Sequence, residues 1–196
     1  MKNLFLTLFI LLFSFSIAAK KEKAHQSIIL AGGCFWCVEE AYDGKNGIIS
    51  AISGYSGGKK VNANYKKVSA GVTFHREVVK VTFDPKIISY QDVLKIYWKT
   101  IDPYDENGQF ADQGSHYTTA IYYQDKKQKK YAFESMNWFQ SVKPNKRMIA
   151  VKILPFENFF PAEDYHQDYA KKNPIRYKLY KNGSGRAKYL KSQWSK

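Results

Sequence analysis

The chain predicts an α+β fold: a ferredoxin-like, split βαβ, two-layer sandwich with extended loops and a C-terminal tail. Three observations carry this. Apolar runs and helical stretches follow in the order β-α-β, then β-α-β, then α-β. Gly, Pro and Asp pairs punctuate nearly every one of them. The clearest strand, 77–83, alternates Val79, Val81 and Phe83 against Val78, Lys80 and Thr82, the period of a pleated ribbon.

The elements follow in order. Residues 27–31 (SIILA) are a short apolar run ending in Gly32-Gly33, which reads as a buried strand and a sharp turn. Residues 34–42 have helical spacing, with Val38, Ala41 and Tyr42 on one side, and Asp43-Gly44 and Asn46-Gly47 end them. Residues 48–55 are a second strand, stopped by Ser56-Gly57-Gly58, and a polar stretch runs on to Gly71. After the strand at 77–83, Asp84-Pro85 breaks the chain. Ser89 ahead of Tyr90-Gln91-Asp92 resembles a capping box, so a helix runs to Trp98. Residues 102–115 read as loop and 117–123 as strand. Asp125 caps a helix to about Gln140, with Lys126, Lys127, Lys129 and Lys130 on its exposed face. Residues 148–154 form the last strand, closed by Pro155. Pro161-Ala162-Glu163-Asp164 begins a short helical turn.

The N-terminus reads as a signal peptide over 1–19. Lys2 precedes an apolar run from Leu4 to Ala19, with Ser16, Ala18 and Ala19 as small residues near a cut. The run is short of the roughly 20 residues that a spanning helix needs. A periplasmic or secreted location is therefore expected. Residues 20–196 form a single catalytic domain, long enough to bury roughly 70% of the unfolded surface. The net charge is +14, and much of it gathers in a basic tail from about 171 to 196, which has no acidic residue. The tail reads as solvated or loosely packed. An exported protein seldom meets nucleic acid, so no nucleic-acid partner is expected, and a monomer is.

The chain has two cysteines, Cys34 and Cys37, in GGCFWCVEE. A disulfide stabilises mainly by closing a loop in the unfolded chain. A bridge over two residues closes almost none, so the pair points to redox chemistry or metal binding. Zinc would need two further ligands, and none of the four histidines is paired at finger spacing. Haem attachment needs a histidine where Val38 stands. Cys34 at a helix start faces unpaired N–H groups and the positive dipole end, which lower a thiol pKa. Gly32-Gly33 leaves its sulfur uncovered, so an exposed, ionised Cys34 is expected. Cys37 lies on the same helix face and can reach it. These residues fit an attacking Cys34 and a resolving Cys37, either in a general disulfide oxidoreductase or in a reductase of a non-disulfide oxidant. A basic binding module acting through the lysine-rich tail is a third, non-enzymatic reading.

A resemblance then becomes specific. Gly33-Cys34-Phe35-Trp36 followed by Glu39 resembles the signature of type A peptide methionine sulfoxide reductases. Gly54-Tyr55-Ser56-Gly57-Gly58, Tyr65 with Val68, His75-Arg76-Glu77-Val78-Val79 with Asp84-Pro85, Asp112-Gln113-Gly114-Ser115-His116-Tyr117 and Glu163-Asp164-Tyr165-His166-Gln167 are similar to its further motifs, in the same order. The resemblance implies that Cys34 is the nucleophile and that Glu77 protonates the sulfoxide oxygen. It implies that Tyr65 and Tyr117 bind that oxygen, that Phe35 and Trp36 form the methyl pocket, and that Asp112 helps fix the substrate. It implies reduction of methionine-S-sulfoxide, free or in oxidised proteins, through a Cys34 sulfenic acid; then either Cys37 resolves it as a Cys34–Cys37 disulfide, the expectation from the pair itself, or an outside thiol reduces it directly. A thioredoxin-like dithiol would recycle the enzyme, with no metal, flavin or nicotinamide. Three positions depart from the pattern: Cys37 where many members have Gly, His116 where Gln is usual, and Phe74 where Gly is common. Phe74 is expected to narrow the site or tilt Glu77.

Overall fold

The computed structural model describes residues 25–195. The leader expected at 1–19 lies outside the described residues. The elements are β1 (Gln26–Ala31), α1 (Phe35–Tyr42), β2 (Ile48–Ser56), α2 (Tyr65–Ser69), β3 (Arg76–Phe83), α3 (Tyr90–Trp98), β4 (Gly108–Gln109), β5 (Asp112–Gln113), β6 (Ala120–Tyr123), α4 (Lys126–Val142), β7 (Lys152–Pro155), β8 (Phe160–Pro161), α5 (Tyr169–Lys172), α6 (Pro174–Gly183) and α7 (Arg186–Trp194). The expected α+β architecture is present. Six strands form one sheet in the order β7-β6-β1-β3-β2-β8, antiparallel throughout except for the β6–β7 pair.

The strand period sorts side chains to two faces. On β1, Ile28 and Leu30 join the main core, while Ile29 and Ala31 face the other way. On β3, Val79, Val81 and Phe83 join the main core and Val78 the second cluster, as the alternation predicts. α1, α3 and α4 supply the helical side of the main core through Phe35, Val38, Tyr42, Val93, Leu94, Trp98, Ala132 and Phe139. The opposite face is covered by Leu154, Phe156 and Phe159. The helix starts form as their caps dictate. Ser89 Oγ accepts from Asp92 N at 3.1 Å and donates to its carboxylate at 2.6 Å, and Asp125 accepts from Gln128 N at 2.8 Å.

Several segments differ from expectation. The polar stretch before β3 contains α2, whose start is capped by the Asn64 side chain on Lys67 N at 3.1 Å. Residues 115–117 are a 3-10 turn, so the strand expected from Tyr117 starts only at Ala120. The turn is held by the Thr118 hydroxyl, which donates to Ser115 O at 2.7 Å. The last strand, expected from Met148, begins at Lys152, because Ala150 N bonds Pro103 O in a loop instead of the sheet. The loop over 102–115 holds the small β4–β5 pair. Pro161 ends a short strand on β2 instead of starting a helical turn. Most of all, the tail is three helices, α5 to α7, and not loose chain. Arg186, Tyr177 and Tyr180 hold it down.

Trp98 is fully buried, donates to Ser135 Oγ at 3.0 Å and stacks on Phe139 with centroids 5.0 Å apart. Trp98→Ala is expected to lower the unfolding free energy by about 3–5 kcal/mol, read as a fall in the urea midpoint.

Candidate active site

Cys34 occupies the N-cap of α1, at φ −52° and ψ 120°, directly after Gly33. Gly33 has φ +79°, a conformation that glycine alone adopts at little cost. A side chain there would also strike Gln109 Cβ at 2.5 Å and the Arg186 guanidinium at 2.8 Å. The turn is thus packed from below and fixes where the thiol emerges.

The first N–H of α1 does not stay free for the thiolate. Phe35 N donates to Glu77 Oε2 at 3.0 Å. Glu77 comes from the start of β3, and Tyr55, which ends near it on β2, is paired with it in register. Glu77 is 2% exposed. Burial pushes its carboxyl up to about 8, although the Phe35 N–H favours the ion, and the charges of Asp112 and Cys37 push the same way. Glu77 therefore carries a proton at neutral pH. Its Oε2 accepts the backbone bond, which leaves Oε1 to present that proton.

The expected exposed, ionised Cys34 is overturned. Its side chain is 5% exposed, and burial pushes its thiol well up, with the Cys37 hydrogen bond, the Cys37 charge and the Glu77 charge adding; Tyr180 opposes them. Cys37 goes the other way. The hydrogen bond from Cys34 pulls it down to about 7 against burial, and Arg186 helps. Both cysteines are free thiols. The two share a hydrogen bond, and the negative charge of the pair rests on Cys37.

The other expected residues gather round this pair. Tyr65 and Tyr117 both feel the charges of Glu77 and Cys34; burial pushes Tyr65 up to about 12 and Tyr117 further, so both keep their phenolic protons. Asp112 is raised by burial and accepts a short hydrogen bond from the Tyr180 hydroxyl. Phe35 and Trp36 divide. Phe35 is buried in the main core, tilted against Tyr55 at 6.0 Å and His166 at 4.9 Å, and stacked on Tyr65 at 6.5 Å. Trp36 is half-buried, and Tyr169 stacks on its face at 3.7 Å and 6°. Phe74 is 91% exposed, so it does not narrow the site as expected. His116 packs on Tyr117 with ring centroids 4.1 Å apart.

The sequence reading missed several members. His166 Nδ1 accepts from Trp36 Nε1 at 3.1 Å, which fixes the indole. Glu163 takes the Tyr65 backbone N–H at 2.9 Å and the Tyr55 hydroxyl at 2.8 Å, tying α2 to β2. Both lie in a segment quoted for its resemblance but given no role. Tyr177 and Tyr180 come from α6. Their spacing of three places them on one helix face, a signal that was available. Glu39 accepts from Asp168 N at 3.1 Å, holding a left-handed residue (φ 53°) at the entry to α5. A separate cleft of about 530 Å³, lined by Glu39, Asp43, Ile52, Gln167, Asp168 and Lys171, contains neither thiol.

A thiol pair that faces a carboxyl still holding its proton can reduce an acceptor whose oxygen must be protonated to leave. Fold and site together define a thiol-dependent oxidoreductase. Comparison with known proteins narrows the class. The family model described as Peptide methionine sulfoxide reductase matches residues 26–196. The chain belongs to the peptide methionine sulfoxide reductase family. It is 47% identical over 165 residues to peptide methionine sulfoxide reductase MsrA 2 of Staphylococcus aureus (strain MRSA252), covering 84% of this chain and 93% of that one. It is 45% identical over 180 residues to MsrA of Bacillus licheniformis, covering 92% and 97%. Among solved structures, reduced Mxr1 from Saccharomyces cerevisiae is 31% identical with a TM-score of 0.71, over 78% of this chain and 87% of that chain. The same yeast protein has been solved in complex with Trx2.

The raised carboxyl has a consequence for stability. A group whose folded pKa lies above its unfolded value stabilises fully below the unfolded value and loses that contribution as pH rises through the folded one. For Glu77 that window runs from the ordinary glutamate range to about 8. Glu77→Gln has no such loss. Its stability relative to the parent is expected to rise between pH 5 and 8, by at most about 1.4 kcal/mol per pH unit, in urea unfolding.

Proposed function

We propose that the protein reduces methionine-S-sulfoxide, free or in oxidised proteins, with Cys34 as nucleophile, Glu77 as acid and Cys37 as resolving thiol. The observation that carries this reading is the Phe35–Glu77 contact. It sets a neutral carboxyl against the helix start from which Cys34 emerges. A sulfoxide oxygen leaves only when protonated or strongly hydrogen-bonded, and an acid with two phenols in a water-poor site provides this.

In the first step Cys37 takes the Cys34 proton across their hydrogen bond, and Cys34 attacks the sulfoxide sulfur. Glu77 Oε1 delivers its proton to the oxygen, while the Tyr65 and Tyr117 hydroxyls donate to it. Trp36 and Phe35 receive the methyl group, and Asp112 holds the substrate once Tyr180 releases it. The oxygen passes to Cys34, methionine departs, and Cys34 is a sulfenic acid. Cys37 passes the proton it took to the Glu77 carboxylate, and its thiolate attacks that sulfur to give a disulfide; the departing hydroxide takes the same proton back from Glu77 and leaves as water. A thioredoxin-type dithiol reduces the bridge by exchange. The yeast relative's complex with Trx2 supports a reductant of this kind.

We further infer that the protein works as a monomer in the periplasm or outside the cell, on the strength of the apolar leader. The fold reading goes with the site. The run β6-β1-β3-β2, antiparallel at each step, supports a split βαβ core of ferredoxin-like type, to which β7, β8 and the tail are added.

Two variants separate the roles. Glu77→Gln is expected to lose roughly 10²–10⁴-fold of sulfoxide reduction with dithiothreitol. A general disulfide oxidoreductase would instead keep its insulin reduction in this variant. Cys37→Ser is expected to release one methionine per enzyme without reductant and then to recycle slowly with a thioredoxin-type donor. The S-epimer alone should turn over; equal turnover of both epimers, or of neither, ends the reading.

A further inference from the structure

Arg186, the first residue of α7, is fully enclosed at 0% exposure. Nη1 donates to Thr100 O at 2.7 Å and Nη2 to Gly32 O at 3.1 Å. The guanidinium lies over the Phe110 ring at 4.5 Å, and Nε has no partner. Among the described residues, no carboxylate forms an ion pair with it. Carbonyls satisfy N–H groups but bring no net charge. A buried cation without an anion in the same enclosure is strongly unfavourable. The enclosure it shares is that of the thiol pair: its charge acts on Cys37 and on Asp112.

The other titratable groups around the thiols are paired, protonated or shared with Arg186. On α1, Glu40 is paired with Lys181 of α6 at 2.9 Å. On β3, Glu77 is protonated. On β5, Asp112 accepts from the Tyr180 hydroxyl of α6 and also feels the Arg186 charge, which therefore acts on two groups, Asp112 and Cys37. Tyr65 of α2, Tyr117 after β5 and Tyr177 of α6 keep their protons. Arg186 is the fully buried cation that acts on the Cys37 thiolate, and Lys181, in its ion pair with Glu40, adds a smaller pull in the same direction.

We propose that Arg186 is a positioning residue for the resolving step: its charge holds Cys37 as the thiolate, and its carbonyl contacts hold the Gly32-Gly33 turn beneath Cys34. The proposal rests on the Cys34–Cys37 disulfide described above. Cys37 thiolate attacks the sulfenic sulfur of Cys34. The S–S bond forms, the S–O bond breaks, and hydroxide leaves as water with the proton that Cys37 first took from Cys34 and handed to Glu77. Cys37 is oxidised and the sulfenic sulfur is reduced, so no further electron carrier enters.

The test titrates the Cys37 thiolate by its ultraviolet absorbance in proteins carrying Cys34→Ser, with Arg, Gln or Lys at position 186. Arg186→Gln is expected to raise the midpoint by about one pH unit or more, and Arg186→Lys to leave it within a few tenths, because the charge remains. A glutamine midpoint equal to that of the arginine protein overturns the proposal. So does a lysine midpoint displaced as far as glutamine, which would mark a merely structural role. Should the glutamine protein not fold, reduced parent and Cys37→Ser are compared in urea from pH 6 to 9. The lowered thiol pKa stabilises above its unfolded value and is lost as pH falls through about 7, so the gap must widen with pH; a constant gap overturns the proposal. Failure of the disulfide reading shows separately, as unchanged thioredoxin recycling of Cys37→Ser.

Discussion

The hydrogen bond from the Phe35 backbone to Glu77, at 3.0 Å, is the contact on which the site depends. It joins the start of α1 to the start of β3, forty-two residues apart. An ionised carboxylate at a helix start would be the usual tenant of such a donor. Here burial wins over the dipole and the donor together, and the carboxyl stays neutral near pH 7. One backbone group thus places the acid beside the thiol and also decides which oxygen can give up a proton. The β2–β3 register, which pairs Tyr55 with Glu77, and the Gly33 turn, which admits no side chain, keep both ends of that contact in place.

The same burial explains the reversed order of the thiols. Dipole arguments favour an ionised Cys34 at the N-cap. Glu77 has taken the first N–H, and α6 lays Tyr177 and Tyr180 over the pair, so desolvation dominates and Cys34 holds the proton. Cys37, one turn inward, carries the charge because Cys34 donates to it and Arg186 lies within range. A pair ordered this way can still react. Cys37 is then the base that receives the Cys34 proton, and the nucleophile forms only as the substrate is engaged.

Much of this was legible in the sequence. The alternation in 77–83 marked β3, the resemblance singled out Glu77 at its start, and the glycine turn before Cys34 marked the helix start. The capping residues Ser89 and Asp125 gave α3 and α4. Tyr65, Tyr117 and Asp112 are near enough to Cys34 and Glu77 to share their electrostatics, although Phe35 serves the core as much as any pocket. What escaped was long-range. No local pattern says that a carboxyl will take the N–H of Phe35, or that Ala150 will bond Pro103 and delay β7. The tail was misread because its charge outweighed its periodicity: Lys and Arg dominate the composition, while Tyr177, Tyr180 and Arg186 do the anchoring. A cationic side chain is assumed solvated by default, and Arg186 breaks that rule because the carbonyls it meets, of Thr100 and Gly32, lie 86 and 154 residues upstream.

The central claim is that Glu77 is protonated at neutral pH while bonded to the α1 start. Infrared difference spectroscopy of the reduced parent against Glu77→Gln isolates the carbonyl band of a protonated carboxyl. The account predicts a band present at pH 6 that is lost with a midpoint near the value of about 8. A carboxylate signal already complete at pH 6 would contradict it.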